Sequence, residues 1–389
     1  MQIVLFDTPS TRASLYPFSS VRSIAEIRLG MYTQTERWQK AFPLSVIHLL
    51  SESYLNYDTL ETTEQILYID SSVIFTEELL QELKALRPGM GLKTASSIVA
   101  FQTDVVKTYG FDEVDCVGIR FTQTNTAVQK LQYPFEIIAH NSRMVQQDIN
   151  GFLQSATSAT LSSTNHVSNA ASVFIEEGAE VEHALINAST GPVYIGKNVL
   201  VMEGTMIRGP VALLEGTVVK MGTKIYGAVT TGKQCTIGGE IKNSVFFDYS
   251  NKAHDGYLGD AVIGAWCNLG AGTSASNVKN TAGEIKLWNP LLHQWMAAGS
   301  KCGVMLGDYS RTAINTSLNT GTVAGVCCNI LSERFPPKYI PHFTWNVADN
   351  ERYVFSKAIE AIANWKQMKQ QLLTERETEI LQYIYNLNS

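Results

Sequence analysis

Between Glu240 and Asn277 the chain gathers side chains suited to proton transfer and phosphate binding: Glu240, Lys242, His254, Tyr257, Asn268 and Asn277. An imidazole titrates near neutral pH, so His254 can act as a base if a carboxylate holds it in one tautomer. A lone surface histidine does no such work, and the spacing leaves both readings open. Lys224 stands 18 residues before Lys242. If that interval is about one turn of a repeating coil, the two ammonium groups stack on one face and repel across roughly 5 Å. A sugar phosphate between them would convert repulsion into binding. If they leave from different corners, both are merely solvated.

The elements that must position these residues follow from a period of six. Aliphatic residues recur at Ile195, Val201, Ile207, Leu213, Val219 and Ile225; Thr231 interrupts the series and Ile237 resumes it. Ile175 and Val181 share the spacing upstream, and Tyr257, Ile263 and Leu269 share it downstream. Glycine often follows, as in Ile195-Gly196, Ile237-Gly238 and Ile263-Gly264. A helix repeats every 3.6 residues and a strand every 2, so neither accounts for six. A hexapeptide repeat does: six residues make a short strand and a turn, and three such units close a triangular coil. Coils stack at strand spacing, about 4.8 Å. The series predicts a left-handed parallel β-helix over residues 172–346, with a shift of register between Ile237 and Val245. Because each coil touches mainly its neighbours, the β-helix should stand without the rest of the chain. From Ser276 to Ser300 the pattern fails, and Trp288, Pro290, His293 and Trp295 suggest a loop thrown out from a corner. It resumes weakly at Leu306-Gly307, with Leu318, Ala324 and Ile330 in register.

Residues 1–150 read as an α/β domain. Gln2 to Phe6, Gln65 to Ile69 and Ser97 to Phe101 are short apolar runs that predict strands. Thr76 to Leu86 has helical spacing, a threonine cap and acids in its first turn, and Pro88-Gly89 stops it. Strands alternating with helices favour a parallel sheet with covered faces. Residues 151–171 are rich in Ser, Thr and Ala and predict a linker. Residues 347–389 predict a helical tail: Asp349 to Leu387 holds no Pro or Gly, and Ile359, Ile362 and Trp365 supply an apolar side.

Composition narrows the function classes. With 389 residues, 45% hydrophobic and 17% charged, the chain can bury a sizeable core. A formal charge of -6 and no Lys/Arg run argue against a nucleic-acid partner. No apolar stretch is long enough to span a bilayer, and MQIVLFDT lacks the basic start of a secretory signal. Six cysteines, none in a CxxC pair, read as small buried hydrophobes in a reducing compartment. The expected location is the cytoplasm, with no membrane partner.

His254 followed by YLGDAVIGAWCNLGAGTSASN, Tyr257 to Asn277, resembles the acetyltransferase signature HxxYLGDAxIGxxxNxGAGTxxxN. That signature belongs to the bifunctional bacterial family that makes UDP-N-acetylglucosamine, in which a uridylyltransferase domain precedes a glucosamine-1-phosphate acetyltransferase β-helix. The Glu-x-Lys that precedes the histidine in the family matches Glu240 and Lys242. The family's phosphate-binding arginine falls at Lys224, which keeps the charge but loses the fork. The resemblance implies that His254 is the general base, Glu240 orients it, and Lys242 and Lys224 hold the phosphate. It implies that Tyr257, Asn268 and Asn277 bind the amino sugar and that the acetyl-CoA arm passes Ala271. Lys279 and Lys286 are both candidates for a further substrate lysine.

The first domain resembles sugar nucleotidyltransferases less closely. Their glycine-rich loop LxxGxGTRL reads LFDTPSTRASL here: Thr11-Arg12 and Pro17 survive, and both glycines are gone. Arg22 stands for the lysine that follows, and ILYIDSSVI resembles the metal-binding strand, which would make Asp70 a Mg²⁺ ligand. Without glycines to bring backbone N–H groups to phosphates, nucleotide binding should rest on Arg12 and Arg22 and be weak. The domain is also short for the family, so the pattern is that of a variant branch. The residues leave open whether it transfers nucleotides or only supports the β-helix.

The sequence therefore predicts a nucleotidyltransferase-like (Rossmann-like) α/β domain, a left-handed β-helix and a helical tail, assembled as a homotrimer. The implied activity is acetyl transfer from acetyl-CoA to glucosamine-1-phosphate, coupled to nucleotidyl transfer from UTP or dTTP. A sugar-1-phosphate nucleotidyltransferase is the alternative, and a non-catalytic scaffold is the second.

Overall fold

The computed structural model describes residues 2–58, 60, 64–332, 334–347 and 351–387. The first domain is built on a six-stranded sheet in the order Val46–Leu50, Gln2–Phe6, Ile66–Asp70, Ile98–Thr103, Met90–Lys93, Arg120–Gln123. The first three strands run parallel, but Ile98–Thr103 is antiparallel to both neighbours. The parallel sheet expected from alternation is thus a mixed one. Only Thr94 to Ser97 separate two of its strands, too little chain for a crossover. Helix α1 (Pro9–Ser14) follows the first strand. Trp38 of α2 (Gln34–Ala41) and Leu79 and Leu83 of α3 (Glu77–Ala85) pack on Ile3, Leu5, Leu67 and Ile69. Thr76 caps α3 as anticipated, accepting from the Leu79 N–H.

The hexapeptide series builds three parallel sheets of nine, eight and eight strands. Ile195, Val201, Ile207, Leu213, Val219, Ile225 and Ile237 all point into the prism. Thr231 also points inward. Its hydroxyl lies 2.9 Å from Thr217 Oγ1 and accepts from the Leu214 N–H, so the break in the series leaves no unpaired polar group. Downstream, Leu258 fills the prism and Tyr257 faces outward, one residue off the expected phase. The coils also shorten at that level: Ile225 pairs with Ile241 and Ile241 with Leu258.

One face of the prism is covered by the first domain. Helix α4 (Glu136–Ser155) lays Val145 and Ile149 against Phe174, Tyr194, Ala212 and Leu214. Leu15, Phe18 and Ile24 pack on Val245, Phe247, Val262 and Met305. This sheet is apolar on both sides, so removing the first domain would return both sets of side chains to water at about 25 cal/mol per Å². The covered face weighs against a self-standing β-helix.

Two other expectations shift. The linker is shorter than 151–171, because α4 continues to Ser155 and His166–Ser168 already pairs with Leu185–Asn187. The loop after Ser276 contains an antiparallel hairpin, Lys286–Asn289 with Gln294–Ala297. Its Ile285, Leu287 and Met296 join the cluster of Leu15 and Tyr16, and Asn289 Nδ2 donates to the Ala13 carbonyl at 2.8 Å. In the tail, Asp349 lies outside the described residues. Beyond it come two helices, α5 (Phe355–Met368) and α6 (Glu375–Leu387). Ile362, Ile380, Leu381 and Ile384 pack over Tyr309 and Phe343 at one corner of the prism, and Tyr383 stacks on Tyr54 at 4.2 Å. All six cysteines are buried free thiols.

Candidate active site

The second face of the prism is open, and there Lys224, Glu240, Lys242 and Tyr257 come together. On a strand whose central residue points inward, both neighbours point outward. Lys224–Tyr226, Glu240–Lys242 and Tyr257–Gly259 are consecutive strands of this sheet. Two outward columns result. In one, Met206, Lys224, Glu240 and Tyr257 are neighbours in register. In the other, Arg208, Tyr226 and Lys242 are. Lys224 and Lys242 therefore share a face but not a column: Lys224 sits beside Glu240, and Lys242 lies over the Tyr226 ring at 5.8 Å. Neither the direct lysine stack nor the separate corners describes them. The shortened coil moves the column by two residues and places a carboxylate where the second ammonium was expected.

Glu240 accepts a 2.6 Å hydrogen bond from the Tyr226 hydroxyl. That bond, with partial burial, pushes the Tyr226 phenol up to about 12. Asn277 is buried and donates to Asp260, whose other oxygen accepts from Asn243 at 2.5 Å. The Tyr257 phenol is raised, first by burial and then by the charges of Asp260 and Glu240. Asp260 was legible in the YLGD motif but had no assigned role. In the structure it is the carboxylate that holds Asn277 on the open face.

His254 is exposed on the bend between Asn251–Lys252 and Tyr257–Gly259, at the edge of the open face. Among the described residues no side chain bonds its imidazole, so Glu240, engaged by Tyr226, does not orient it here. Asn268 lies around this corner, on the third sheet between Asn251 and Arg311. Ala271 is in the turn that follows, with its carbonyl accepting from the Asn315 N–H at 2.6 Å. Lys279 donates to the Glu284 carbonyl, and Lys286 lies 3.7 Å from Glu284 on the inserted hairpin. Lys252 is a residue that period reading missed: it occupies an inward position of the prism, and burial lowers its ammonium to about 8 against the attraction of Asp255.

The first domain treats its charges differently. Arg12 is buried and paired with Asp7 at 2.9 Å; its guanidinium also donates to Ser51, Tyr54 and the carbonyls of Ser19 and Arg22. Asp7 further accepts from the Ser23 hydroxyl and the Ile24 N–H. Arg12 is therefore a strut inside the fold and is not available to a nucleotide. Arg22 pairs with Asp308 of the β-helix and lies over Phe247 at 5.1 Å. It lines a cavity of about 540 Å³ between the first domain, the prism and α6. Asp70 does not fit the role of a Mg²⁺ ligand: one oxygen is bound by Lys130 at 2.7 Å and the other by the Ser72 hydroxyl and N–H. Among the described residues no group of three His, Cys, Asp or Glu side chains is placed to hold a metal. No described helix is long and apolar enough to cross a membrane.

Residues 3–157 match the family model described as sugar nucleotidyl transferase. The bifunctional protein GlmU of Synechococcus elongatus is 26% identical over 251 residues, 61% of this chain and 50% of that protein. GlmU of Rippkaea orientalis is 41% identical over 86 residues, 22% of this chain and 18% of that protein. The bifunctional sugar-1-phosphate nucleotidylyltransferase/acetyltransferase of Sulfurisphaera tokodaii is 33% identical over 91 residues, 23% of this chain and 22% of that protein. The chain spans about half the length, or less, of these curated relatives. The chain is thus similar to sugar nucleotidyl transferases in its first domain and to bifunctional GlmU proteins over the stretches given, with a hexapeptide β-helix after that domain.

Proposed function

We propose that the chain is an N-acetyltransferase acting on an amino-sugar 1-phosphate, with glucosamine-1-phosphate as substrate and acetyl-CoA as acyl donor. The observation that carries this reading is the open face itself. Lys224, Lys242 and Arg208 present positive charge beside Glu240, Tyr257 and Asn277, with His254 exposed at its edge. The cations suit the phosphate, and the amide, phenol and carboxylate suit the sugar hydroxyls. His254 takes the proton that the amine sheds as its nitrogen attacks the thioester carbonyl. A carbon–nitrogen bond forms, the carbon–sulfur bond breaks, and CoA leaves as the thiol. The thioester is already activated, so positioning and one base suffice.

The same face supports a homotrimer. Leu185 and Met206 are exposed on it, 49% and 41%, and line an open groove of about 450 Å³ that continues to Lys224 and Tyr226. A second prism seated there would cover the apolar residues and complete a site that one face leaves open. A soluble chain working in the cytoplasm fits this chemistry, since acetyl-CoA and sugar phosphates are intracellular metabolites.

A second reading, nucleotidyl transfer, is favoured by the match of residues 3–157 to the sugar nucleotidyl transferase model. The engagement of Asp7, Arg12 and Asp70 with their own neighbours weighs against it. One experiment separates the readings: release of free CoA from acetyl-CoA with glucosamine-1-phosphate, beside release of pyrophosphate from UTP and dTTP with Mg²⁺. CoA release alone supports acetyl transfer. Pyrophosphate release promotes the second reading, and neither product with any amino-sugar phosphate leaves the scaffold.

A further inference from the structure

The inward positions of the third sheet are filled by Val181, Val201, Val219, Ile237, Leu269, Thr312 and Ile330, with one exception. Lys252, in register with Ile237, is fully buried there. A charged group in an apolar prism is costly unless its donors are used. The Lys252 ammonium uses them on the bend that carries the candidate base: it donates to the carbonyl of His254 and, at 3.2 Å, to the carbonyl of Asp255.

That bend is held from its other sides by backbone. The Gly272 N–H donates to the Asp255 carbonyl at 3.1 Å. The preceding coil offers Gly238 and Gly239, where a Cβ would come within 2.4 Å of the Ala253 carbonyl oxygen and 2.7 Å of that of Gly256. The bend thus rests on bare backbone, and among the described residues the Lys252 ammonium is the donor that engages the His254 carbonyl. Among the described residues no side chain bonds the imidazole, so the backbone of the bend sets the point and the Cα–Cβ direction from which it reaches.

The geometry points to Lys252 as a positioning residue: from inside the prism its ammonium fixes the His254–Asp255 carbonyls and so aims the His254 side chain over the open face. This rests on the reading of His254 as the base. Losing the ammonium frees the His254 carbonyl to turn toward water, and the imidazole turns with it. A displacement of about 1 Å at a reacting group costs on the order of 100-fold in rate.

The test uses the full chain. Lys252→Met keeps the length and apolar character of the stem and removes the donors. The expected result is a kcat lower by about 10- to 100-fold, KM values for acetyl-CoA and glucosamine-1-phosphate unchanged within about twofold, thermal stability retained, and faster hydrogen exchange at residues 253–256. Lys252→Gln, which restores a shorter donor, should recover part of kcat. Unchanged kcat in a folded Lys252→Met variant overturns the proposal. So does a loss of kcat matched by loss of folding in both variants, which makes Lys252 a folding residue only. If the wild-type chain releases no CoA with any amino-sugar phosphate, the acetyl-transfer reading fails by itself. The positioning claim is then decided by exchange at 253–256 and by the His254 imidazole resonance, either of which unchanged in Lys252→Met overturns it.

Discussion

Asp7, in the first domain, and Glu240, on the open face of the prism, each end up beside a cation, and their surroundings differ. Asp7 is fully enclosed, with Arg12, Ser23, Ser51 and the Ile24 N–H all directed at its carboxylate. An internal anion holds Arg12 in the loop where the sequence led one to expect that arginine to meet a nucleotide. Glu240 is half-buried on an open sheet, accepts from Tyr226, and has Lys224 alongside, with no partner of opposite charge bonded to it among the described residues. A charge whose partners all come from its own chain stabilises the fold; a charge left open to solvent on a fixed sheet is available to a ligand. By that criterion the charges of Asp7 and Arg12 are spent on the fold, while those of Glu240 and Lys224 on the open face remain for a ligand.

The comparison breaks most readily at His254. His254→Ala should lower acetyl transfer by about two to four orders of magnitude, the range for loss of a general base, with thermal stability unchanged because the side chain is exposed. Near wild-type turnover at neutral pH would remove the chemistry from this edge of the prism. The reciprocal variant is Arg12→Met. It leaves Asp7 buried and unpaired, so stability should fall by about 3–5 kcal/mol, while kcat per folded molecule stays the same. Denaturant unfolding with a turnover assay on the folded fraction checks both halves. A stable Arg12→Met protein that has lost activity would show that the first domain does more than support.

Lys242→Met sharpens the picture of the open face. With Tyr226 and Glu240 left in place, KM for the sugar phosphate should rise by about tenfold, the scale of one charge-assisted contact, and the rise should shrink at high salt. A fall in kcat at constant KM would place Lys242 at the reacting centre instead. The smallest effect concerns His342, where the first domain meets the last coil. It is half-buried, its Nδ1 accepts from the Val326 N–H at 2.8 Å, and Tyr16 contacts it edge-on at 5.0 Å. Burial lowers its pKa from 6.5 to about 3. The folded state thus binds fewer protons than the unfolded state between these values, and stability falls as pH drops from about 6.5 toward 3. His342→Gln, which keeps an acceptor, should flatten the melting temperature over that window. Equal slopes in the two proteins would mean that the histidine is not held neutral.

Much of this was readable before any coordinates. A period of six can be satisfied only by a repeating coil, so Ile195 through Ile237 determined the prism, and the motif from His254 to Asn277 named candidates of which Tyr257 lies on its open face and His254 at the edge. Local chemistry carried such features because each depends on a few neighbouring residues: Thr76 caps its helix through a bond three residues away. The misses have a common cause. Which column Lys224 joins depends on how many residues the next coil uses, and that is decided by the closure at Gly238-Gly239 rather than by the spacing of lysines. Arg12 reads as a phosphate ligand until Asp7, Ser51 and Tyr54, from separate segments, close around it. Lys252 carries no signal in the spacing, and its place shows only when the prism encloses its stem and the bend supplies acceptors for its ammonium. The sequence by itself determined the repeat and the order of its elements, and it named candidate residues for a site. Only the tertiary structure decided which charges are spent inside the protein and which remain for a ligand, because the partner of a charge is chosen by distance in space and residues far apart in the chain compete for it.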